Sequence, residues 1–207
     1  MKIFVTGIGT GVGKTVVSAI LCEALKADYW KPVQSGSMED SDTMTVQRLI
    51  SNPKSVFHAE ACRLKLAASP HAAAAAENRK VKLKEMKLPH TSSHLIIEGA
   101  GGLLVPLNDK EMIIDLIQRL KTPVVLVSQH YLGSINHTLL SVEALKARGI
   151  KILGIVFNGE ENQSTEAVIL RQGGLKMLGR MRREKLINRK VVSAYAKEFR
   201  KKMLRHL

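Results

Sequence analysis

Residues 7–15, GIGTGVGKT, constrain what this chain can fold into more than any other stretch. They follow an apolar run at residues 2–6 and precede residues 14–27, whose apolar side chains recur at helical spacing. A glycine-rich turn between a strand and a helix is where backbone N–H groups bind phosphate. The common P-loop has four residues between its first glycine and Gly-Lys-Ser/Thr, whereas five separate Gly7 from Gly13 here. We therefore predict a phosphate-binding turn of unusual length.

The residue types in this turn suit a nucleotide. Gly9, Gly11 and Gly13 allow the backbone to approach a phosphate and to adopt positive φ. Lys14 would reach the terminal phosphates, and the Thr15 hydroxyl would ligate Mg²⁺. The turn alone predicts phosphate binding and does not indicate how the phosphate is used.

Short and nearly all-apolar runs alternate with helical patterns along the rest of the chain. This alternation predicts an α/β fold with a mostly parallel sheet and helices on both faces, a P-loop NTPase-like three-layer sandwich. No linker or repeat interrupts the pattern, so residues 1–207 are predicted to form a single P-loop-like α/β domain. Predicted strands are residues 2–6, 29–33, 94–102, 123–129, 150–158 and 175–181; predicted helices are residues 14–27, 134–149 and about 189–205, with helix and surface connection at residues 71–89.

A formal net charge of +14 is a feature of nucleic-acid-binding proteins, but the charge is uneven. Residues 180–207 hold eleven Lys or Arg and two acids, a net of +9. Within them, apolar residues recur at helical spacing at Val192, Tyr195, Phe199 and Met203. This pattern is typical of a packed C-terminal helix with a solvated basic face, and an anion-binding surface is the alternative. Aromatic residues make up only 4%, so we expect no nucleic-acid partner.

The sequence also bears on the location of the protein. No apolar run reaches the length of a membrane span, and residues 2–6 are too short for a signal peptide. Cys22 and Cys62 lack metal-ligand spacing, which favours free thiols. We expect a cytoplasmic protein that has no membrane partner.

Polar residues and glycines follow the predicted strands. Because ligands bind at the carboxyl ends of parallel strands, we expect these residues to line one site. The residues in question are Lys31, residues 34–37, Glu98, residues 99–102, residues 128–134 and Asn158.

Three charged residues in this set could act on a bound phosphate. Glu98 ends a buried strand, where an acid is costly unless it binds something, and Mg²⁺ prefers such oxygen ligands. Asp42 precedes a helical pattern and could either cap the helix or bind the metal. Lys31 could be a surface charge, or it could stabilise a transferring phosphoryl group beside Lys14. The residues themselves leave these alternatives for Asp42 and Lys31 open.

Seven separate stretches, spanning residues 4 to about 159, resemble the dethiobiotin synthetase family and occur in the family's order. They are FVTGIGTGVGKT, KPVQSGS, SDTMTVQR, SPHAAA, IEGAGGLLVPL, LGSINHTLL and GIVFN. Members of that family share the extra residue in the phosphate loop, so the resemblance explains the spacing of Gly7.

The resemblance implies an ATP-dependent cyclo-ligase of biotin biosynthesis that is a homodimer with its substrate site at the interface. Its substrates would be ATP, CO₂ or bicarbonate, and 7,8-diaminononanoate, with Mg²⁺ as cofactor. A carbamate forms, attacks the γ-phosphate to give a carbamic-phosphoric mixed anhydride, and the second amine then closes the ureido ring and releases phosphate.

By motif position, the resemblance also implies roles for individual residues. The catalytic residues would be Lys31, Lys14 and Thr10, and the metal ligands Thr15, Asp42 and Glu98. Substrate would contact Ser35, Gly133, Ser134 and Asn136. The nucleotide would contact Gly11, Val12, Gly13, Lys14, Thr15, Val16, Asp42, Glu98, Gly99, Ala100, Gly101, Asn158 and Arg182. His71 and His137 are predicted to be structural.

The chain departs from the family pattern at two places, and the sequence also allows one alternative function. Many family members carry an acid where this chain has Gly11, and an Ile-Pro near the nucleotide base where it has Met181 and Arg182. The alternative function is a partition or localisation ATPase acting on DNA or membrane. Those proteins carry a signature lysine at the position of Gly9, which favours the synthetase.

Overall fold

The computed structural model describes residues 1–203, and this part of the chain forms nine strands and seven helices. The strands are β1 (Lys2–Gly7), β2 (Asp28–Trp30), β3 (Val33–Ser35), β4 (Phe57–His58), β5 (Cys62–Leu64), β6 (Leu95–Gly102), β7 (Val124–Gln129), β8 (Ile152–Asn158) and β9 (Met177–Met181). The helices are α1 (Lys14–Leu25), α2 (Asp42–Leu49), α3 (Pro70–Ala76), α4 (Ile113–Leu120), α5 (Ser134–Ala147), α6 (Gln163–Gly173) and α7 (Arg189–Met203).

Seven strands form one sheet in the order β4-β2-β6-β1-β7-β8-β9, and every neighbouring pair is parallel. The first strand therefore lies at the centre, flanked by β6 and β7. The phosphate turn after β1 and the acid at the end of β6 meet at the same edge, because parallel strands share one carboxyl end. The predicted parallel sheet is confirmed.

Helices cover both faces of the sheet. Side chains of α1, α2 and α7 pack on one face, in the same apolar core as Val5 and Ile96. Side chains of α3, α4 and α5 pack on the other, with Phe4 and Ile97. Alternate residues along β1 and β6 thus point into different cores, as strand geometry requires. The predicted three-layer arrangement is confirmed.

The second predicted strand, residues 29–33, is interrupted in the structure. Proline has no backbone N–H for a sheet hydrogen bond, and β2 ends before Pro32. The chain then leaves the main sheet, and Val33–Ser35 pairs with Cys62–Leu64 in a separate two-stranded sheet. The break places Lys31 at the carboxyl edge of the sheet rather than within a strand.

The basic C-terminal segment forms a helix that packs through its apolar face. Val192, Tyr195, Phe199 and Met203 are buried against the core that contains α1. Lysines on the opposite face, such as Lys197, are exposed. The predicted helix extended to about residue 205, and its last two positions lie outside the described residues.

Candidate active site

A cavity of about 700 Å³ opens at the carboxyl edge of β1, β2 and β6. It brings together residues that are far apart in sequence and that were predicted to share a site. Those that line it are Thr10, Gly11, Gly13, Lys14, Thr15, Val16, Lys31, Ser35, Asp42, Glu98, Ala100 and Gly101.

The glycine turn has the backbone conformation that binds anions. Gly11 and Gly13 have φ of 75° and 95°, which favour glycine, and Gly13 is the N-cap of α1. No side chain caps this helix end, so its first N–H groups are available to a phosphate. The Lys14 ammonium donates to the carbonyl oxygen of Gly9 at 2.8 Å and so curls back over the turn. Asn158 braces the turn by donating from Nδ2 to the Val12 carbonyl at 3.0 Å.

A compact cluster of charges lies beside the turn. The Thr15 hydroxyl oxygen is 2.7 Å from Oδ1 of Asp42 and 2.9 Å from Oε1 of Glu98. The Lys31 ammonium lies 2.6 Å from Oδ2 of Asp42 and 3.0 Å from Oε1 of Glu98. Two carboxylates, one hydroxyl and one ammonium from four separate segments thus converge on one point.

The pKa values of Lys14 and Lys31 are shifted in opposite directions. Burial lowers the pKa of Lys14 to about 8, although Glu98 acts in the opposite direction. Burial would also lower the pKa of Lys31, but the adjacent Glu98 and Asp42 outweigh it and raise that pKa. Lys31 is therefore firmly protonated, a cation rather than a base.

The cluster has the donor set that Mg²⁺ prefers. Two carboxylates and a hydroxyl are hard oxygen ligands, and Mg²⁺ commonly takes one or two carboxylates together with nucleotide phosphates. No group of three or more His, Cys, Asp or Glu within residues 1–203 could hold a metal by itself. The arrangement therefore suits an ion that the protein shares with a nucleotide.

The structure resolves the two alternatives that the sequence left open. Ser41 caps α2, because its side chain accepts a hydrogen bond from the Met44 N–H, while Asp42 turns towards Lys31. The hypothesis that Asp42 is the cap is wrong. Lys31 is 4% exposed, so the hypothesis of a surface charge is also wrong.

Ser35 faces the same cavity from the end of β3. Its buried hydroxyl oxygen has no hydrogen-bond partner anywhere in residues 1–203. Buried hydroxyls are normally paired, so this one is available to a bound molecule.

Other residues of the predicted set lie elsewhere. Gly133, Ser134 and Asn136 form the start of α5 and do not line the cavity. Gly99 packs against Phe4 instead of facing the cavity, since an added Cβ would come within 2.8 Å of that ring. The start of α5 is therefore separate from the cavity within one chain.

The expected base-contacting residues lie behind the glycine turn. An added Cβ on Gly13 would meet Asn158 and Met181 at 2.6 and 3.0 Å, so both residues back the turn. Arg182 is exposed, and its backbone N–H donates to the Tyr195 hydroxyl at 3.0 Å. The two predicted structural histidines are exposed: His71 lies at the start of α3, and His137 contacts Tyr131. Neither lines the cavity.

Sequence reasoning missed one polar residue that braces the cluster, Tyr29. A second, Gln34, was included only as part of the segment 34–37 expected to line the site, and it does line the cavity. The Tyr29 hydroxyl donates to Oε2 of Glu98 at 2.9 Å. Gln34 donates to the Gly36 carbonyl, and its side-chain oxygen is 3.4 Å from the Asp42 backbone nitrogen. Strand periodicity is the signal that could have found Tyr29, because Tyr29 and Lys31 are two residues apart and point to the same side.

The fold and the glycine turn together define a protein of the P-loop NTPase-like class. A family model described as "AAA domain" matches residues 1–191. The crystal structure of the Pyrococcus furiosus cell division ATPase MinD is similar, with a TM-score of 0.63, 15% identity, and coverage of 97% of this chain and 98% of that one. A plasmid partition protein of Borrelia burgdorferi bound to AMPPNP has a TM-score of 0.61 at 11% identity, with coverage of 100% and 99%. At these identities the likeness concerns the fold alone.

The particular family is given by relatives of much higher identity. The ATP-dependent dethiobiotin synthetase BioD of Christiangramia forsetii is 56% identical over 97% of this chain and 96% of its own length. The enzyme of the same name from Cytophaga hutchinsonii is 52% identical over 94% of this chain and 95% of its own length. The chain therefore belongs to the ATP-dependent dethiobiotin synthetase family and is a ligase, and the alternative of a partition or localisation ATPase is not favoured.

Proposed function

We propose that this chain uses ATP to close a ureido ring on 7,8-diaminononanoate with CO₂, giving dethiobiotin in biotin biosynthesis. The observation that carries the proposal is the convergence of Lys14, Lys31 and Ser35 with two carboxylates on one cavity beside a phosphate turn. Family membership supplies the substrates, and the cavity supplies a place for a diamine next to a nucleotide.

The first step forms a carbamate. One amine of the substrate attacks CO₂, an N–C bond forms, and the amine loses a proton. The product carries a negative charge close to the cavity's two lysines. Lys31, which is protonated, would hold the carbamate oxygen, and the free Ser35 hydroxyl would bind the substrate near its amines.

The second step transfers the γ-phosphoryl group. A carbamate oxygen attacks the γ-phosphorus, the bond to the β-phosphate oxygen breaks, and ADP leaves. Charge spreads over the transferring oxygens, and cations fixed in place stabilise it. Lys14 and Thr10 from the turn would act on one side of the phosphoryl group and Lys31 on the other.

The metal would be held by Thr15, Asp42 and Glu98. When bound, Mg²⁺ would neutralise phosphate charge during transfer. Lys31 pairs with two of these groups, so its ammonium would turn from the carboxylates towards the phosphate when the site is filled. The catalytic cation would thus stay paired until ATP binds.

The third step closes the ring. The second amine attacks the carbonyl carbon of the mixed anhydride, the bond from carbon to the phosphate oxygen breaks, and phosphate and a proton leave. Both amines must lie within reach of one carbon, so orientation by the cavity walls contributes much of the rate.

We further propose a homodimer that completes the substrate site. Around the start of α5 lie exposed apolar and aromatic side chains, Leu104, Tyr131, Leu132 and Leu140. Exposed apolar patches of this kind mark interfaces. The turn at Gly133–Asn136 lies within the patch and would receive the substrate carboxylate in the partner's cavity.

The remaining contacts and the location are proposals of the same kind. Asn158 and Arg182 would lie near the nucleotide base, and Gly11, Val12, Val16 and the 99–101 segment near the phosphates. Residues 1–207 would act as one domain in the cytoplasm, without nucleic-acid or membrane partners. Cys22 and Cys62 are free thiols, and no described helix is long and apolar enough to cross a bilayer.

Mass spectrometry of the product tests the proposed reaction. With ATP, Mg²⁺, the diamine and ¹³C-bicarbonate, we expect dethiobiotin with one ¹³C in its ureido carbonyl. Formation of ADP without any labelled ring product would refute the proposed function.

A further inference from the structure

Tyr29 lies outside the cavity, yet it contacts the centre of the charge cluster. It stands on β2, on the face covered by α1, and its ring is fully buried with Ile96 and Phe57 around it. Its hydroxyl donates to Oε2 of Glu98 at 2.9 Å. Glu98 is 1% exposed, so this bond forms where water does not compete.

The two oxygens of Glu98 have different partners. Thr15 and Lys31 approach Oε1, and both of these residues line the cavity. Tyr29 approaches Oε2 and does not line the cavity. The bond from Tyr29 therefore lies on the side of Glu98 away from the cavity, where a molecule bound in the cavity would not displace it.

The hydroxyl is the polar group of Tyr29, and its hydrogen bond to Oε2 of Glu98 is the contact that a phenylalanine would lack. A phenylalanine would fill the same space in the core, so packing does not require the hydroxyl.

From this geometry we propose that Tyr29 is a positioning residue for the magnesium site. Its hydroxyl fixes the Glu98 carboxylate so that Oε1 points into the cavity. The inference rests on the proposed function, because the metal site is part of it. Groups that orient metal ligands in this way commonly contribute about 10- to 100-fold to metal affinity.

The test is calorimetric binding of ADP to the full chain across a series of Mg²⁺ concentrations, for wild type and Tyr29→Phe. We expect the Mg²⁺ concentration at half-maximal enhancement to rise about tenfold in the variant. ADP affinity in EDTA should not change, because the phosphate turn is untouched. Tyr29→Met provides a second variant without a hydroxyl if the phenylalanine variant does not fold.

Tyr195→Phe is the matched control, since it removes a hydroxyl bonded to Glu184 at 2.5 Å, away from the cluster. Its Mg²⁺ midpoint should equal that of wild type. A Tyr29 variant that loses thermal stability but keeps the wild-type midpoint would overturn the inference and leave the proposed function intact. A wild type whose ADP binding ignores Mg²⁺ would overturn the metal site itself and, with it, the role of Tyr29.

Discussion

At the residue scale, the proposed phosphate chemistry depends on a few closely packed side chains. Lys31, Thr15, Asp42 and Glu98 form one network in which opposite charges are within 3.0 Å, and Lys14 lies over the adjacent turn. Buried charges are tolerated only when paired, so each member stabilises the others. Substitution of one member should therefore lower the rate of ring closure more than the affinity for ATP.

Lys31→Ala tests the catalytic cation. We expect kcat for ring closure to fall by about 100- to 1000-fold, as on removal of a group that stabilises transition-state charge. KM for ATP should change little, because Lys14 and the turn remain. Lys80→Ala, at an exposed lysine paired with Asp109, is the control and should keep full activity. Near-normal turnover by Lys31→Ala at saturating substrate would contradict the assignment.

Gly13→Ala tests the turn. A Cβ at φ of 95° is strained, and it would clash with Asn158 at 2.6 Å. Moving the turn out of its left-handed conformation would relieve about 1–2 kcal/mol of strain and remove the clash, so we expect roughly tenfold weaker ATP binding by calorimetry. Gly149→Ala carries similar strain at φ of 64° with open space around it, and should bind ATP normally. Equal ATP affinity for both variants would show that the turn does not need this glycine.

At the element scale, the sequence predicted the strands that carry the site but not every neighbour. Apolar runs identified β1, β6, β7 and β8, because fully covered strands need little else. The two-residue β4 shows no periodicity, and α4 starts after Met112, without the polar residue that usually precedes a helix.

At the site, too, the sequence predicted what local pattern reveals and missed the rest. Lys31 and Glu98 could be placed at a sheet edge because they follow apolar runs. The bond from Tyr29 to Glu98 joins residues 69 positions apart, so local pattern could not reveal it. The sequence likewise left open whether Asp42 caps α2 or binds the metal, because Ser41 and Asp42 both suit the cap position.

A buried ion pair joins β9 to α6, and a substitution in it tests how much it stabilises the fold. The Glu166 side chain is 7% exposed and lies 2.8 Å from Nε2 of His130. It accepts hydrogen bonds from both terminal guanidinium nitrogens of Arg180. Burial opposes ionisation, but Arg180 and His130 together lower the pKa of Glu166 below its ordinary 4.5. Glu166→Gln should lower the free energy of unfolding at pH 7 by about 3 kcal/mol.

The pH dependence of that loss follows from the lowered pKa. The stabilisation is present above the unfolded pKa and is lost as pH falls through the folded pKa. In urea titrations, the difference between wild type and Glu166→Gln should therefore shrink below about pH 4. Glu85→Gln, in an exposed pair with Lys82, should cost less than about 1 kcal/mol at any pH. A Glu166→Gln loss that does not change between pH 7 and pH 3 would contradict this reasoning.

At the scale of the whole molecule, one chain has a cavity beside the glycine turn and an exposed apolar patch that do not overlap. The proposed dimer joins the two, since the Gly133–Asn136 turn of one chain would face the cavity of another. Assembly and catalysis should then be lost together.

Leu132→Glu tests that link. Leu132 is fully exposed in the apolar patch, and a charge there should oppose burial in an interface. We expect a monomer by light scattering, with ring closure reduced at least about tenfold and ADP binding retained. Val56→Glu, at an exposed valine beside the edge strand β4, should stay dimeric and active. A Leu132→Glu monomer with full activity would refute a shared substrate site.

In the proposed reaction, ATP is consumed only to activate a carbamate. The decisive experiment measures phosphate release with and without 7,8-diaminononanoate and bicarbonate. We expect release to require both substrates and to match ring closure mole for mole. Release that is equally fast without the diamine, or that responds instead to DNA or anionic vesicles, would contradict the claim.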